Sequence, residues 1–394
     1  MVVTSPVPAS VSEPGVAAAL ALFATGARLS RAEVAGRTGW ARVTVTARLE
    51  RLLEDGLLES FESRVNGRGR PATHYRLAVD AGSLLVADIG ASGLRVARCD
   101  LAGRPGPSQH LPSEIGDGPD AVLGVVRAGW EDLMEGAPPV WGVAVSLPGP
   151  VELSTGRVVD PPIMTGWNDY GVRDELATWF GTTAHVENDA NAIALGEVAA
   201  VTEAGGSLSD VLVVKVGTGV GAGIISGGQV LRGAAGAAGD IGHTEADVAG
   251  VRSDRPLCRC GKLGCVEAYA GGWALVRDAR ERGLEVEGLD DFLECLVAGD
   301  PVARALTAEA GQVLGSAVAT TVSLLNPEQV LLAGALGLVG EHLVAGVRQR
   351  VYARSLPLAT RTLRIQGGRL GVEAGVRGLA HELSRRVLLG AAAG

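Results

Sequence analysis

Gly239-Asp-Ile-Gly-His243 precedes Cys258-Arg-Cys-Gly-Lys-Leu-Gly-Cys-Val-Glu267, a histidine upstream of three cysteines in a C-x-C-x4-C loop. Three thiolates and one imidazole close a tetrahedron around Zn2+, with sulfur ligands at about 2.3 Å and nitrogen ligands at about 2.0–2.1 Å. Four protein ligands, His243, Cys258, Cys260 and Cys265, leave no open position, so the expected Zn2+ is structural and activates no water. The alternative is three unligated buried thiols. Three of the five cysteines fall within eight residues, which in a reducing compartment favours metal over disulfide. Cys99 and Cys295 stand apart and read as core.

Working outward, 394 residues with 47% hydrophobic side chains and 57 glycines describe a globular α/β chain of two or three domains. The net charge of −9 argues against a surface that coats nucleic acid throughout. The average hides an asymmetry: residues 1–80 hold ten Arg against eight acidic residues, +2, so 81–394 carry −11. No apolar run reaches the roughly 18 residues of a membrane span and no secretion signal opens the chain, so a cytoplasmic protein without membrane contact is expected.

From Gly82 on, strands and helices alternate, which predicts α/β layers. Strands are expected at 84–89, 94–99, 140–145, 211–216 and 329–333, and 184–192 passes from a strand into a helix. Two turns are shaped for phosphate, Asp88-Ile-Gly-Ala-Ser-Gly93 and Gly217-Thr-Gly-Val-Gly221, although the second is a weak pattern by itself. Glu187-Asn-Asp-Ala-Asn191 could be a helix N-cap cluster or a ligand site.

With these residues assembled, the chain resembles the ROK family (repressor, open reading frame, kinase) over about residues 82–390, and the cysteine loop with its histidine is the most specific match. The resemblance implies a two-lobed actin-like ATPase (sugar-kinase) fold over 82–394, divided near 195, its C-terminal helix returning to the first lobe. It also implies a sugar site built of Asn188, Asp189, Asp240, His243 and Glu267, with His243 touching both metal and sugar. Paired carboxylates and amides suit the paired hydroxyls of a sugar ring. In the family's kinases the residue matching Asp189 is the general base, so Asp189 would be catalytic here only if phosphoryl transfer survives. Asp240 stands where Glu is usual, and Ile163 where the kinases often have Asn, which leaves the identity of the sugar open.

The kinases typically read Asp-Ile-Gly-Gly-Thr-Lys at the first turn. This chain keeps Asp88, Gly90 and a hydroxyl at Ser92, together with Gly217, Thr218 and Gly219, but has Ala91 and Gly93 in place of glycine and lysine. Loss of one such cation removes roughly 2–4 kcal/mol of transition-state stabilisation, about 10²–10³ in rate. ATP with Mg2+ is therefore not expected as a working cofactor.

The front adds a DNA reader. Residues 1–12 read as a disordered tail and 13–79 as an α+β winged helix-turn-helix. Helices are expected at 15–25, 31–38 and 41–54, with a capping box at Ser30–Glu33 and the turn at Gly39. Val45, Leu49, Leu52 and Leu53 face inward, and Arg42, Thr44, Thr46 and Arg48 are left towards solvent, base edges and phosphates. Strands at 57–61 and 73–77 form a wing, and Asn66-Gly-Arg-Gly-Arg-Pro71 carries Arg68 and Arg70 for an A·T-rich minor groove. An ordinary three-helix domain with a basic loop is the bland alternative. The expectation is a sugar-responsive regulator, a repressor of carbohydrate metabolism genes, that binds double-stranded operator DNA and a sugar or sugar-phosphate effector as a homodimer or dimer of dimers. The rival is an ATP-dependent sugar kinase with an appended DNA-binding domain.

Overall fold

The computed structural model describes residues 8, 13–24, 26–63 and 72–389. The rest of the tail at 1–12 and the arm carrying Arg68 and Arg70 lie outside the described residues.

The front module comprises α1 (Pro14–Ala21), β1 (Leu29–Ser30), α2 (Arg31–Thr38), α3 (Arg42–Glu54), β2 (Leu58–Ser63) and β3 (Ala72–Leu77). Ser30 and Glu33 cap α2 reciprocally: Glu33 N–H donates to Ser30 Oγ at 3.3 Å and Ser30 N–H to Glu33 Oε2 at 2.7 Å. Gly39, at φ +71°, ends α2 in the left-handed region and turns the chain into α3. Val45, Leu49 and Leu52 are buried at helical spacing, while Leu53 is only partly covered. The small sheet runs β1-β3-β2, all antiparallel.

Two five-stranded sheets follow. The first contains β4 (Ser83–Ile89), β5 (Leu94–Cys99), β6 (Pro105–Leu111), β7 (Val140–Leu147) and, beyond the small hairpin β8 (Val151–Glu152) and β9 (Arg157–Val158), β10 (Thr183–Asn188). Helices α4 (Pro119–Leu133) and α5 (Val172–Phe180) lie between its strands, and α6 (Asp189–Glu203) leads from β10 to the second sheet. The second contains β11 (Val211–Val216), β12 (Val220–Ser226), β13 (Gln229–Val230), β14 (Gln329–Ala333) and β15 (Arg364–Gly367). Its helices are α7 (Glu267–Ala270), α8 (Gly272–Glu281), α9 (Leu289–Ala298), α10 (Pro301–Leu325), α11 (Gly334–Val339), α12 (Glu341–Arg354) and α13 (Pro357–Thr360). The orders are β10-β7-β4-β5-β6 and β13-β12-β11-β14-β15. In each, three consecutive antiparallel strands are extended by two parallel ones, so the lobes repeat one plan.

The last helix, α14 (Ala374–Leu389), returns to the first lobe and crosses α6 at backbone contact. A Cβ at Gly378 would stand 1.7 Å from the Ala192 carbonyl oxygen, and one at Gly196 2.1 Å from that of Ala374, so glycine is required at both. Leu383, Val387 and Leu388 of α14 share one hydrophobic core with Trp141 of β7 and with Val16, Leu20 and Phe23 of the front module. The junction is short and anchored, Leu101 N–H donating to the Val79 carbonyl at 3.0 Å. The front module is thus packed on the first lobe, which no local sequence pattern reveals.

Candidate functional site

The first wall of the cleft is set by register. Asp88 on β4 stands opposite Ser146 on β7, and Ser146 opposite Glu187 on β10. Ser146 Oγ donates to Asp88 Oδ1 at 2.5 Å. Burial pushes the Asp88 carboxyl above the usual range, against the pull of Ser146 and of the nearby Lys215 ammonium. On its other side a Cβ at Gly375 would lie 2.1 Å from Asp88 Oδ2, so the carboxylate meets the first turn of α14.

Asn188 and Asp189 occupy the β10–α6 turn. Asn188 Oδ1 accepts from the N–H groups of Ala190 and Asn191, at 3.0 and 3.3 Å, and its Nδ2 donates to the Gly149 carbonyl at 3.2 Å. The capping reading of this residue therefore holds, and one amide hydrogen remains for a ligand. Asp189, buried at the first turn of α6, pairs with Lys215 Nζ. Lys215 is the residue that sequence reasoning missed. Its signal was a single cation in the apolar strand Val-Leu-Val-Val-Lys-Val, just before a glycine turn. Burial opposes its charge, but Asp189, and at longer range Asp88 and Glu267, raise the ammonium above its ordinary value.

The second wall is a brace around Gly217–Gly221. Glu267 Oε2 accepts from Val220 N–H at 3.0 Å and Oε1 from Trp273 Nε1 at 3.2 Å. A Cβ at Gly219 would strike Glu267 Oε2 at 2.6 Å, so glycine there lets the turn rest on the carboxylate. The N–H groups of Gly272 and Trp273, opening α8, donate to the carbonyls of Gly217 and Thr218. Segment 239–243 lies directly on β12, since a Cβ at Gly242 would stand 2.1 Å from the Val220 carbonyl oxygen. Asp240 is exposed, with no hydrogen bond or ion pair to a described residue.

Behind this wall, His243, Cys258, Cys260 and Cys265 bring their ligand atoms within 4.8 Å of one another. His243 Nδ1 lies 3.7 Å from Cys258 Sγ, and Cys260 Sγ 3.7 Å from Cys265 Sγ. Metal–sulfur bonds of about 2.3 Å in a tetrahedron give edges of about 3.8 Å, so the four side chains fit a closed metal centre. With Nδ1 on the thiol side, His243 Nε2 remains available. Cys258 Sγ is also 4.0 Å from Glu267 Oε1, which joins the histidine–cysteine cluster to the cleft wall. Cys99 is buried in the joint core of the front module and first lobe.

The first turn is closed on itself: Gly90 N–H donates to the Gly93 carbonyl at 2.8 Å, and Ala91 packs towards the first-lobe core. A side chain at 93 would start 3.0 Å from His110 Nε2, so the missing lysine is matched by a neighbour standing in its way. Ser92 is exposed, and Ile163 is packed against the same core.

On α3, Arg42 and Val43 are exposed, Val43 to 81%, and Thr44 and Thr46 are half-covered. Arg48 differs from expectation. Its guanidinium lies 3.8 Å above the Trp40 ring, Nη1 is buried, and a Cβ at Gly15 would stand 2.6 Å from Nη2. It cements α3 to α1 and does not face outward. Among the described residues no helix is long and apolar enough to cross a membrane.

The sequence profile of the ROK family matches residues 86–385. A putative xylose repressor of Caldicellulosiruptor sp. (strain Rt8B.4) is 27% identical over 368 residues, covering 89% of this chain and 90% of that one. A glucokinase of Halalkalibacterium halodurans is 28% identical over 309 residues, covering 74% and 92%. Among solved structures, a ROK family transcriptional regulator, homologous to the E. coli MLC protein, superposes with a TM-score of 0.79 at 24% identity, covering 97% of this chain and 98% of that one. A ROK family glucokinase from Streptomyces griseus, in complex with glucose and AMPPNP, gives 0.67 at 28% identity, covering 77% and 100%.

Proposed function

The chain belongs to the ROK family, and we propose that it is a sugar-responsive transcriptional repressor whose kinase-like cleft binds a sugar without phosphorylating it. One observation carries this reading. Helix α14 meets Asp88 of the cleft at its first turn and shares a core with α1 of the front module at its far end. A sugar that favours one arrangement of the lobes shifts the population towards it, and the same helix hands that shift to the DNA-binding surface. Likeness over 89% of the chain to a protein named as a xylose repressor supports the regulatory role.

Asp189, Asp240, His243 Nε2, Glu267 and the remaining amide hydrogen of Asn188 hold the sugar hydroxyls. The metal is Zn2+, bound by His243, Cys258, Cys260 and Cys265, and it fixes His243 as one wall of the sugar site. Its role is structural, since all four positions are filled by protein. Arg42, Thr44 and Thr46 of α3, with Arg68 and Arg70, contact operator DNA, and two copies pair their modules on a two-fold site. Arg48 acts from within by holding α3 in place.

The closed Gly90–Gly93 turn, Ala91 and the absent lysine argue against phosphoryl transfer. A sugar kinase with an appended DNA-binding module is the second reading, favoured by Asp189 and by the glucokinase likeness. The test is an ATP-coupled assay over a panel of hexoses and pentoses beside a binding assay on labelled upstream DNA. Sugar-dependent DNA binding without product supports the proposal. Turnover above about 1 s⁻¹, within the usual enzyme range, with sugar-insensitive DNA binding would replace it.

A further inference from the structure

We propose that Lys215 is the resident cation of the cleft, holding the ground between Asp88 and Asp189 so that the site takes an uncharged sugar and neither a divalent cation nor a phosphorylated ligand. The observation is positional. Asp88 is the penultimate residue of β4 and Lys215 the penultimate residue of β11, each followed by one apolar residue and a glycine turn. The lobes repeat one strand plan, and the lysine reaches across to pair with Asp189 of the first lobe.

The charge pattern then selects the ligand. Without Lys215, the buried Asp189 would lose its cation with Asp88 in the same electrostatic field, an arrangement that invites a divalent cation. With it, one fixed monovalent charge satisfies Asp189 from inside the protein. Glu267 adds a third carboxylate to the field of the same ammonium. A dianionic phosphate entering here meets three carboxylates and one cation that is already paired, so repulsion prevails. A neutral hydroxyl meets Asp189 as a fixed acceptor, and the paired carboxylate does not have to release a cation to receive it.

The ligand class rests on the reading of the cleft as a sugar site, whereas exclusion of the divalent cation can be measured without sugar or DNA. The experiment uses full-length, Zn-loaded protein, with Mn2+ binding followed by electron paramagnetic resonance. Wild type should show no Mn2+ binding that depends on Asp88 or Asp189. Lys215→Ala should gain one Mn2+ at least about tenfold more tightly, Lys215→Arg should not, and Lys215→Ala with Asp189→Asn should lose the gain. Lys215→Met, which keeps the bulk, repeats the test if the alanine variant folds poorly. In wild type, D-xylose or D-glucose should raise the melting temperature and glucose 6-phosphate should not.

Absence of an Mn2+ gain in both the alanine and methionine variants would overturn the assignment, as would stabilisation by glucose 6-phosphate equal to that by glucose. DNA binding that ignores every sugar, beside an intact Mn2+ gain, would sink the regulatory reading and leave the resident cation standing.

Discussion

The two glycine turns at the ends of β4 and β11 are built on one plan and end differently. Asp88-Ile-Gly90 ends in a turn whose inner hydrogen bond, Gly90 N–H to the Gly93 carbonyl, closes it, and its acid leans on α14. Lys215-Val-Gly217 ends in a turn braced from outside by Glu267, α8 and, through Cys258, the histidine–cysteine cluster. The second lobe is therefore the stiffened wall, and the first is the one joined to the front module. The repeated strand plan puts Asp88 and Lys215, residues of opposite charge, at equivalent positions in the two lobes.

The largest effect is expected at the α6–α14 crossing. Gly378→Val should cost at least about 3 kcal/mol, since a side chain at backbone distance cannot be absorbed by rotamer changes. Denaturant unfolding checks this, and operator binding should fall with it. If Gly378→Val leaves both unchanged, α14 does not join cleft and front module as described.

Next in size is an ion cluster between the lobes. Arg232 Nη2 lies 2.7 Å from Glu187 Oε2 and 3.2 Å from Glu382 Oε1. Burial works against the Glu187 charge, but His185 and Arg232 outweigh it and hold its pKa down at about 2. A lowered pKa stabilises the fold above the unfolded value of 4.5, and that contribution is lost as pH falls towards 2. A loss on the order of 3 kcal/mol across this window is expected, and Glu187→Gln should flatten it. Melting temperatures from pH 5 to 2.5 measure the difference.

The histidine–cysteine cluster titrates differently from the first lobe's acids. Burial pushes the Cys265 thiol up to about 12, with the neighbouring cysteines adding to the effect, so loading requires proton release and affinity should rise with pH. Purified protein should contain about one zinc. Cys260→Ser should lose it and weaken sugar binding more than DNA binding. Equal loss of both would mean the brace serves the whole fold.

The smallest effects separate the arginines of the front module. Replacing Arg68 and Arg70 by Ala should weaken operator binding and flatten its salt dependence by about one unit of slope per arginine. Arg42→Ala should behave likewise. Arg48→Ala should leave the slope alone and cost about 1 kcal/mol of stability, the worth of a packed cation–π contact.

The front helices, the capping box and the metal set were legible because each depends on spacing along the chain. Arg48 was misplaced because 3.6-residue periodicity gives an angle around the helix and cannot report that Trp40 and Gly15 offer a pocket for a long side chain. Asn188 fitted either of its two readings from sequence, and the structure shows its oxygen already engaged by the helix it starts. The role of Lys215 depends on how the lobes meet, since Asp189 opens the helix that leaves the other sheet. The docking of α14 on α1 joins the two ends of the chain, beyond the reach of any window of sequence.

Linkage between cleft and operator is measured by titrating full-length protein onto labelled upstream DNA with and without D-xylose or D-glucose. An uncharged sugar should shift the binding midpoint by about fivefold to 150-fold, the usual range of allosteric coupling, with no sugar phosphate formed when Mg-ATP is present. A midpoint that no sugar moves, together with steady phosphorylation of one of them, would contradict the account.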